Sequence, residues 1–244
     1  MENAQPNSSA HVCTTQTTAD YIANLPAWDK VPRLGTWLPH VLNESEASAG
    51  WPLMDYLSLV GKYWLLAMVR RVMEPGCKFG YCPVLEGAGG LRKSALGRVL
   101  AGDKHFDDSP MSSRWRATPE ENKNLWIYEV AELSALNKAD KAAIKSYISS
   151  HKDACQQPRR ADLTLVPRQF IVIGTTNEDS YRSQECDRRF WPVPVCSPIN
   201  IEWVQAARDQ LFAEAKEWQH LALFINDLTD HPGNPASKSQ WGGV

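Results

Sequence analysis

Apolar and polar positions alternate along this chain with two periods. From Asp55 to Met73 the apolar residues Leu57, Val60, Trp64, Met68 and Val72 recur every three or four positions, which keeps one helical face apolar, and Pro75-Gly76 ends the run. Tyr81 to Glu86 is short and apolar enough for a buried strand, and a glycine-rich turn follows it into a helical pattern over Lys93 to Ala101. A second strand is predicted at Leu125–Glu129, then a helix from about Ala139 to Ser150, rich in Ala, Lys and Ile. Gln169–Gly174 reads as a third strand. Phe190–Val195 reads as an edge strand, because its prolines cannot donate to a central ladder. A helix from Ile201 to about Leu223 closes the pattern.

Strands alternating with helices predict an α/β fold with a parallel-sheet core flanked by helices. The expected organisation is a flexible N-terminal tail over residues 1–20 and a helical lead-in over 21–80. A catalytic-sized domain over 81–228 and a loose tail rich in Pro, Gly and Ser over 229–244 complete it.

Composition narrows the function classes. Apolar residues at 43% and charged residues at 22% suit a globular domain rather than a disordered chain. No apolar run approaches the ~18 residues needed to span a bilayer, and the N-terminus lacks a basic segment followed by an apolar one, so a cytoplasmic protein without membrane contact is expected. The six cysteines form no CxxC pair and the six histidines no ligand spacing, so neither a zinc site nor a disulfide framework is signalled. A formal net charge of −2 provides no global basic field. Nucleic-acid contact would have to come from local clusters such as Arg159-Arg160, or from an assembled oligomer.

The candidate chemistry is concentrated where strands end. Glu86-Gly87-Ala88-Gly89-Gly90-Leu91-Arg92-Lys93-Ser94 lies at a predicted strand-to-helix turn. A phosphate-binding loop of this kind wraps backbone N–H groups around phosphates, extends a lysine to the β and γ phosphates, and uses a hydroxyl to help hold Mg²⁺. Lys93 and Ser94 match the last two roles, and the ligands implied are ATP and Mg²⁺. The pattern asks for glycine where Arg92 stands: a side chain there restricts the turn or obstructs the phosphate, although a guanidinium can also pair with phosphate. Taken alone, the loop fits a simple glycine-rich turn equally well.

Three further features follow in order. Glu129 ends the second strand and Glu132 follows it; a carboxylate there can hold Mg²⁺ or orient the attacking water. Thr175-Thr176-Asn177 follows the third strand, where Asn177 could bond the γ-phosphate or the hydrolytic water. Arg188 and Arg189 could offer a guanidinium to the transition state of a neighbouring subunit. Each is individually ordinary: exposed glutamates, a polar turn, surface arginines. Their combined order is an economical layout for a P-loop NTPase.

With these residues in view, the chain resembles the virulence-associated E (VirE-like) family, whose P-loop ATPase domain is similar to superfamily-3 and AAA+ ring-forming helicases of phage and mobile elements. The resemblance runs from about residue 21 to about residue 215. It includes Trp28-Asp29-Lys30-Val31-Pro32-Arg33-Leu34, Glu74-Pro75-Gly76-Cys77-Lys78, the loop, and Trp126-Ile127-Tyr128-Glu129-Val130-Ala131-Glu132-Leu133. It continues in Pro167-Arg168-Gln169, Gly174-Thr175-Thr176-Asn177 and Asp187-Arg188-Arg189-Phe190-Trp191-Pro192-Val193. The resemblance implies ATP binding at Gly87–Ser94 with Mg²⁺ on Ser94 and Glu129. It also implies a ring-forming homo-oligomer, a hexamer among the candidates, with an arginine serving the next subunit, and single-stranded or duplex DNA as partner. Many relatives carry a primase region ahead of this domain, which points to a separate primase or replication partner here.

The departures are Arg92, the tail from Glu217 onward and the segment after Ser150. There Asp153 and Pro158 remain, while Gln156, Arg159 and Ala161 stand where the family has Arg, Tyr and Arg. A degenerate prophage-type copy would account for them.

The leading functional reading is an ATP-hydrolysing replication motor or helicase-like domain, with Lys152, Arg159 and Arg160 as candidate DNA contacts. The alternative is a degenerate P-loop protein acting as an interaction or scaffold module, supported by Arg92. A kinase using the same loop ranks last, for want of an acceptor-site pattern.

Overall fold

The chain places three helices before its first strand: α1 (Thr18–Ala23), α2 (Trp37–Val41) and α3 (Glu46–Met73). They lead to β1 (Cys82–Glu86), which passes through the glycine-rich loop into α4 (Lys93–Ala101). Then come β2 (Phe106–Asp107), α5 (Met111–Arg114), α6 (Pro119–Asn124), β3 (Ile127–Val130) and α7 (Lys138–Ser149). The last elements are β4 (Lys152–Gln156), β5 (Leu163–Pro167), β6 (Ile171–Thr176), β7 (Phe190–Pro194) and α8 (Ile201–Trp218). This computed structural model describes residues 17–114, 117–156, 162–177, 188–220 and 228–237. Residues 1–16, Pro158, Arg159, Arg160, Ala161 and Asp187 lie outside the described residues, as do Cys13 and Cys186. No helix among the described residues is long and apolar enough to cross a membrane.

Five strands form a parallel sheet in the order β2-β3-β6-β1-β7, so the fold is α/β with the loop-bearing strand inside the sheet. Both faces are covered. Leu85, Ile127, Ile171, Ile173, Trp191 and Val193 pack on one side with α3, α4 and α8. Cys82, Val84, Tyr128, Val130, Phe170 and Val172 pack on the other with Ile144 and Ile148 of α7. The alternation is the period of two that a pleated strand imposes, and two covered faces explain the near-continuous apolar runs.

The prolines within these strands cost the ladder little. Cys82 N donates to Arg189 O, Val195 N donates to Glu86 O, and Gly87 N donates to Thr176 O. Alternation then turns Pro83 toward β6, whose pairing with β1 begins only at Val84. It likewise turns Pro192 and Pro194 toward the outer edge, where a missing N–H breaks no bond. The expectation of an edge strand at Phe190–Val195 is met for this reason.

Several boundaries differ from those read in the sequence. Helix α3 starts earlier, capped by Ser45, and bends at Gly50 (φ 73, ψ 155), after which Pro52 sits in a first turn where its missing N–H is harmless. Strand β3 starts two residues late because Thr118 and Glu121 form a capping box for α6 and Leu125 N still donates to Glu121 O. Strand β6 runs to Thr176, since Thr175 and Thr176 pair with Leu85 and Glu86. The two threonines therefore belong to the sheet rather than to a turn.

The antiparallel hairpin of β4 and β5 had no counterpart in the sequence reading. Its anchor is buried: Arg168 Nε donates to Asp153 Oδ2 at 3.0 Å, its Nη2 donates to Asp153 Oδ1, and its Nη1 donates to Tyr147 O. The guanidinium also lies over the rings of Tyr147 and Phe170. Two residues quoted for the family resemblance are thus one ion pair holding the hairpin to α7 and to the start of β6.

Candidate functional site

In a parallel sheet every strand ends on the same side, and ligands sit beyond those ends where the strand order reverses. Here β1, β3 and β6 are neighbours or one strand apart, so the loop after β1, Glu129 near the end of β3, and Asn177 after β6 converge. Sequence spacing could not show this, because 84 positions separate Lys93 from Asn177.

The loop's shape follows from its glycines. A Cβ on Gly87 would lie 2.1 Å from Val195 O, so the strand-to-loop transition admits no side chain there. Gly90 has φ 83, and a Cβ on Gly89 or Gly90 would meet nothing within 4 Å, which leaves the loop open on that side. Arg92 takes the left-handed conformation itself (φ 64, ψ 27), the backbone that glycine usually supplies. Its side chain leaves the loop: Nη1 donates to both carboxylate oxygens of Glu202 in the first turn of α8, at 2.8 and 3.0 Å. The obstruction expected from Arg92 is absent in this conformation, and the unusual torsion is present. Among the described residues no side chain caps α4, which leaves its N-terminal N–H groups without a capping side chain.

Lys93 is buried and folded back over the loop. Its Nζ donates to Gly87 O at 2.5 Å, Ala88 O at 2.8 Å and Asn177 Oδ1 at 3.0 Å. Burial pushes this ammonium below the usual lysine value, while Glu132 and Glu129 pull it back up. Asn177 Nδ2 in turn donates to Glu132 Oε1 at 3.1 Å, and Glu132 sits in the left-handed region with φ 51. Lysine, asparagine and exposed glutamate are therefore one connected set.

Glu129 is 1% exposed beneath the loop. Its Oε1 accepts from Ser94 Oγ and from Thr175 Oγ1, both at 2.6 Å, while its buried Oε2 has no partner among the described residues. An unpartnered buried carboxylate oxygen is costly unless something comes to it. With the Ser94 hydroxyl, at the start of the helix that follows the glycine loop, already on the same carboxylate, the hydroxyl and the carboxylate are oxygen donors of the kind that fit a divalent cation. Thr175 was named in the sequence only as part of a turn. Its signal was the strand period: it shares a face with Ile171 and Ile173, which puts its hydroxyl in the interior beside Glu129.

Arg188 and Arg189 are not at this site. They precede β7, at the end of the sheet away from the loop. Arg188 is exposed; Arg189 Nε donates to Ser149 Oγ at the end of α7, at 2.7 Å. Lys152, a candidate DNA contact, is exposed at the start of β4.

The sequence profile of the virulence-associated protein E-like domain matches residues 22–231. Among solved structures, the apo form of the NrS-1 C-terminal region is similar at a TM-score of 0.61 and 13% identity, over 91% of this chain and 55% of that one. A second apo form of the same region gives 0.50 and 16%, over 80% and 47%. At these identities the likeness concerns the fold. The chain spans about half the length of the solved structures it matches. No curated protein matches it.

Proposed function

The chain belongs to the family of virulence-associated protein E-like domains, and from that membership we propose that it is an ATP-dependent motor or loader acting on DNA during replication of a mobile element or prophage. The observation that carries this reading is Glu129, a buried carboxylate that accepts from the Ser94 hydroxyl just after the glycine loop and keeps one oxygen without a partner among the described residues. A structural glutamate so deeply buried would be expected to have both oxygens satisfied.

The residues divide the work as follows. Backbone N–H groups of Gly87 to Ser94 and the uncapped start of α4 surround the phosphates. Lys93 exchanges its bonds to Gly87 O and Ala88 O for the β and γ phosphates. Ser94 and Glu129 would hold Mg²⁺, which would supply positive charge against the phosphates. Glu129, occupied by two hydroxyl donors, holds rather than abstracts. Glu132, exposed and bonded to Asn177, is the carboxylate free to orient water, and Asn177 reports the γ-phosphate by leaving Lys93 or Glu132 for it.

Completion of the site falls to a second copy of the chain. Arg188 and Arg189 lie beyond the far end of the sheet and cannot reach the loop of their own subunit, which is what an arginine acting in trans requires. Arg188, exposed, is the better candidate, because Arg189 is held by Ser149. DNA contact is expected to be sequence-independent and to weaken with salt, with Lys152 among the contributors.

A second reading has one observation behind it. Lys93 is fully occupied by acceptors of its own chain, as in a loop that never receives a nucleotide, and the domain would then serve as a scaffold. Binding and hydrolysis of Mg²⁺-ATP, with and without single-stranded DNA and beside Lys93→Ala, separates the two. DNA-stimulated turnover that is lost in Lys93→Ala supports the motor, and absence of any nucleotide binding supports the scaffold.

A further inference from the structure

The bridge between Arg92 and Glu202 joins the phosphate loop to the first turn of α8, and it is made of groups that can part at small cost. Both side chains are largely exposed, so the pair is weak and screened. Glu202 does not depend on Arg92 alone. Its carboxyl is held below the usual glutamate value first by its own backbone N–H at the start of α8, and only then by the guanidinium. Arg92 stands one residue before Lys93, at the uncapped N-terminus of α4, and its guanidinium is suited to bidentate contact with phosphate.

We propose that Arg92 is a phosphate ligand held in reserve by Glu202: a nucleoside polyphosphate arriving at the loop takes the guanidinium from the carboxylate and so releases the side-chain bridge between the loop and α8, while the backbone bond from Ile199 N to Leu91 O remains. The proposal rests on the nucleotide-binding reading given above. A polyphosphate offers several negative charges close to the loop where Glu202 offers one in solvent, so the exchange runs toward the ligand. The same exchange reports the bound state to α8, which packs against α3 and α4.

The test is calorimetric titration of the full chain with Mg²⁺-ATP and with inorganic tripolyphosphate at fixed ionic strength. The unchanged chain is compared with Arg92→Gln, Glu202→Gln, the double variant and Lys93→Ala. Gln at 92 carries the same Cβ in the same left-handed backbone, so loop strain is held constant, and thermal unfolding without ligand confirms that each variant folds. Glu202→Gln is expected to tighten both probes about two- to fivefold, the worth of an exposed pair. Arg92→Gln is expected to weaken both about tenfold or more, the worth of a charge-assisted bond. In the Arg92→Gln background the Glu202 substitution should then change affinity by less than about twofold. Unchanged affinity in Arg92→Gln, or equal tightening by Glu202→Gln in both backgrounds, overturns the exchange. If either occurs while Lys93→Ala still abolishes binding, the exchange alone fails. Absence of binding by every variant, Glu202→Gln included, overturns the nucleotide reading with it.

Discussion

Replacing Glu129 by Gln separates the functional from the structural role of the most buried carboxylate at the site. The amide keeps the shape and can still accept from Ser94 and Thr175, but each bond changes from charge-assisted to neutral, a loss of roughly 2–3 kcal/mol for the two together. The amide nitrogen takes the place of the unpartnered Oε2 and also lacks an acceptor, at a cost of about 1–3 kcal/mol. Against these, the variant no longer buries a carboxylate with one bare oxygen, a penalty of several kcal/mol. The terms offset to within about 2 kcal/mol. At roughly 2–4 °C per kcal/mol for a chain of this size, the unliganded midpoint should stay within about 8 °C of the original in thermal unfolding. The ligand response should differ far more. At a hundredfold excess over Kd, Mg²⁺-ATP bound as proposed should stabilise the unchanged chain by about 2.7 kcal/mol, or roughly 5–11 °C, and the variant should gain less than about 2 °C because the proposed Mg²⁺ site would lack its carboxylate. An equal ligand shift in both chains would refute the metal role. A collapse of the unliganded variant by well over 8 °C would show that the orphan oxygen is satisfied in a way the geometry does not reveal.

Other consequences can be checked with similar means. Arg168→Met leaves Asp153 buried without its bidentate partner and should cost about 3–5 kcal/mol in urea unfolding, with much of it recovered when Asp153→Leu is added. A loss below about 1 kcal/mol would mean the pair is not the hairpin's anchor. Arg188→Ala should lower turnover by about 10³-fold with ATP affinity little changed, and mixing it with Lys93→Ala chains should restore activity if the guanidinium acts in trans; failure of the mixture to recover counts against the shared site. For pH, burial lowers the Lys93 pKa in the free protein, so the unfolded chain binds more protons between that value and the usual 10.5. The unliganded fold therefore gains stability as pH rises through this window. Nucleotide affinity shows the opposite trend, because phosphates need the ammonium, and it should begin to fall at lower pH than in Lys93→Arg. A pH-independent affinity across the window would remove Lys93 from the phosphates.

Much of this was legible along the chain, and the boundary of legibility has physical causes. Local rules reach a few residues, and they located the strand, glycine turn and helix from Cys82 to Ala101, as well as the edge character of β7, because strand period, helix period and proline chemistry are properties of neighbours. They failed by two residues at β3 and β6, where a capping box at Thr118 and pairing with β1 overrode the apolar pattern. They also left the β4–β5 hairpin unseen, since only burial of Asp153 against Arg168 makes its alternation meaningful.

Neighbouring residues along the chain already decide which chemical groups stand at the ends of which strands, and that a glycine loop with Lys93 and Ser94 opens a helix. Tertiary structure alone decided what those groups touch. Parallel pairing in the order β2-β3-β6-β1-β7 brings the Thr175 and Ser94 hydroxyls onto one oxygen of Glu129 and Asn177 between Lys93 and Glu132, while it leaves Arg188 and Arg189 at the opposite end. It also turned the most doubtful residue outward, for Arg92 meets a glutamate 110 positions away, and no local spacing encodes a contact made by the packing of one helix beside another.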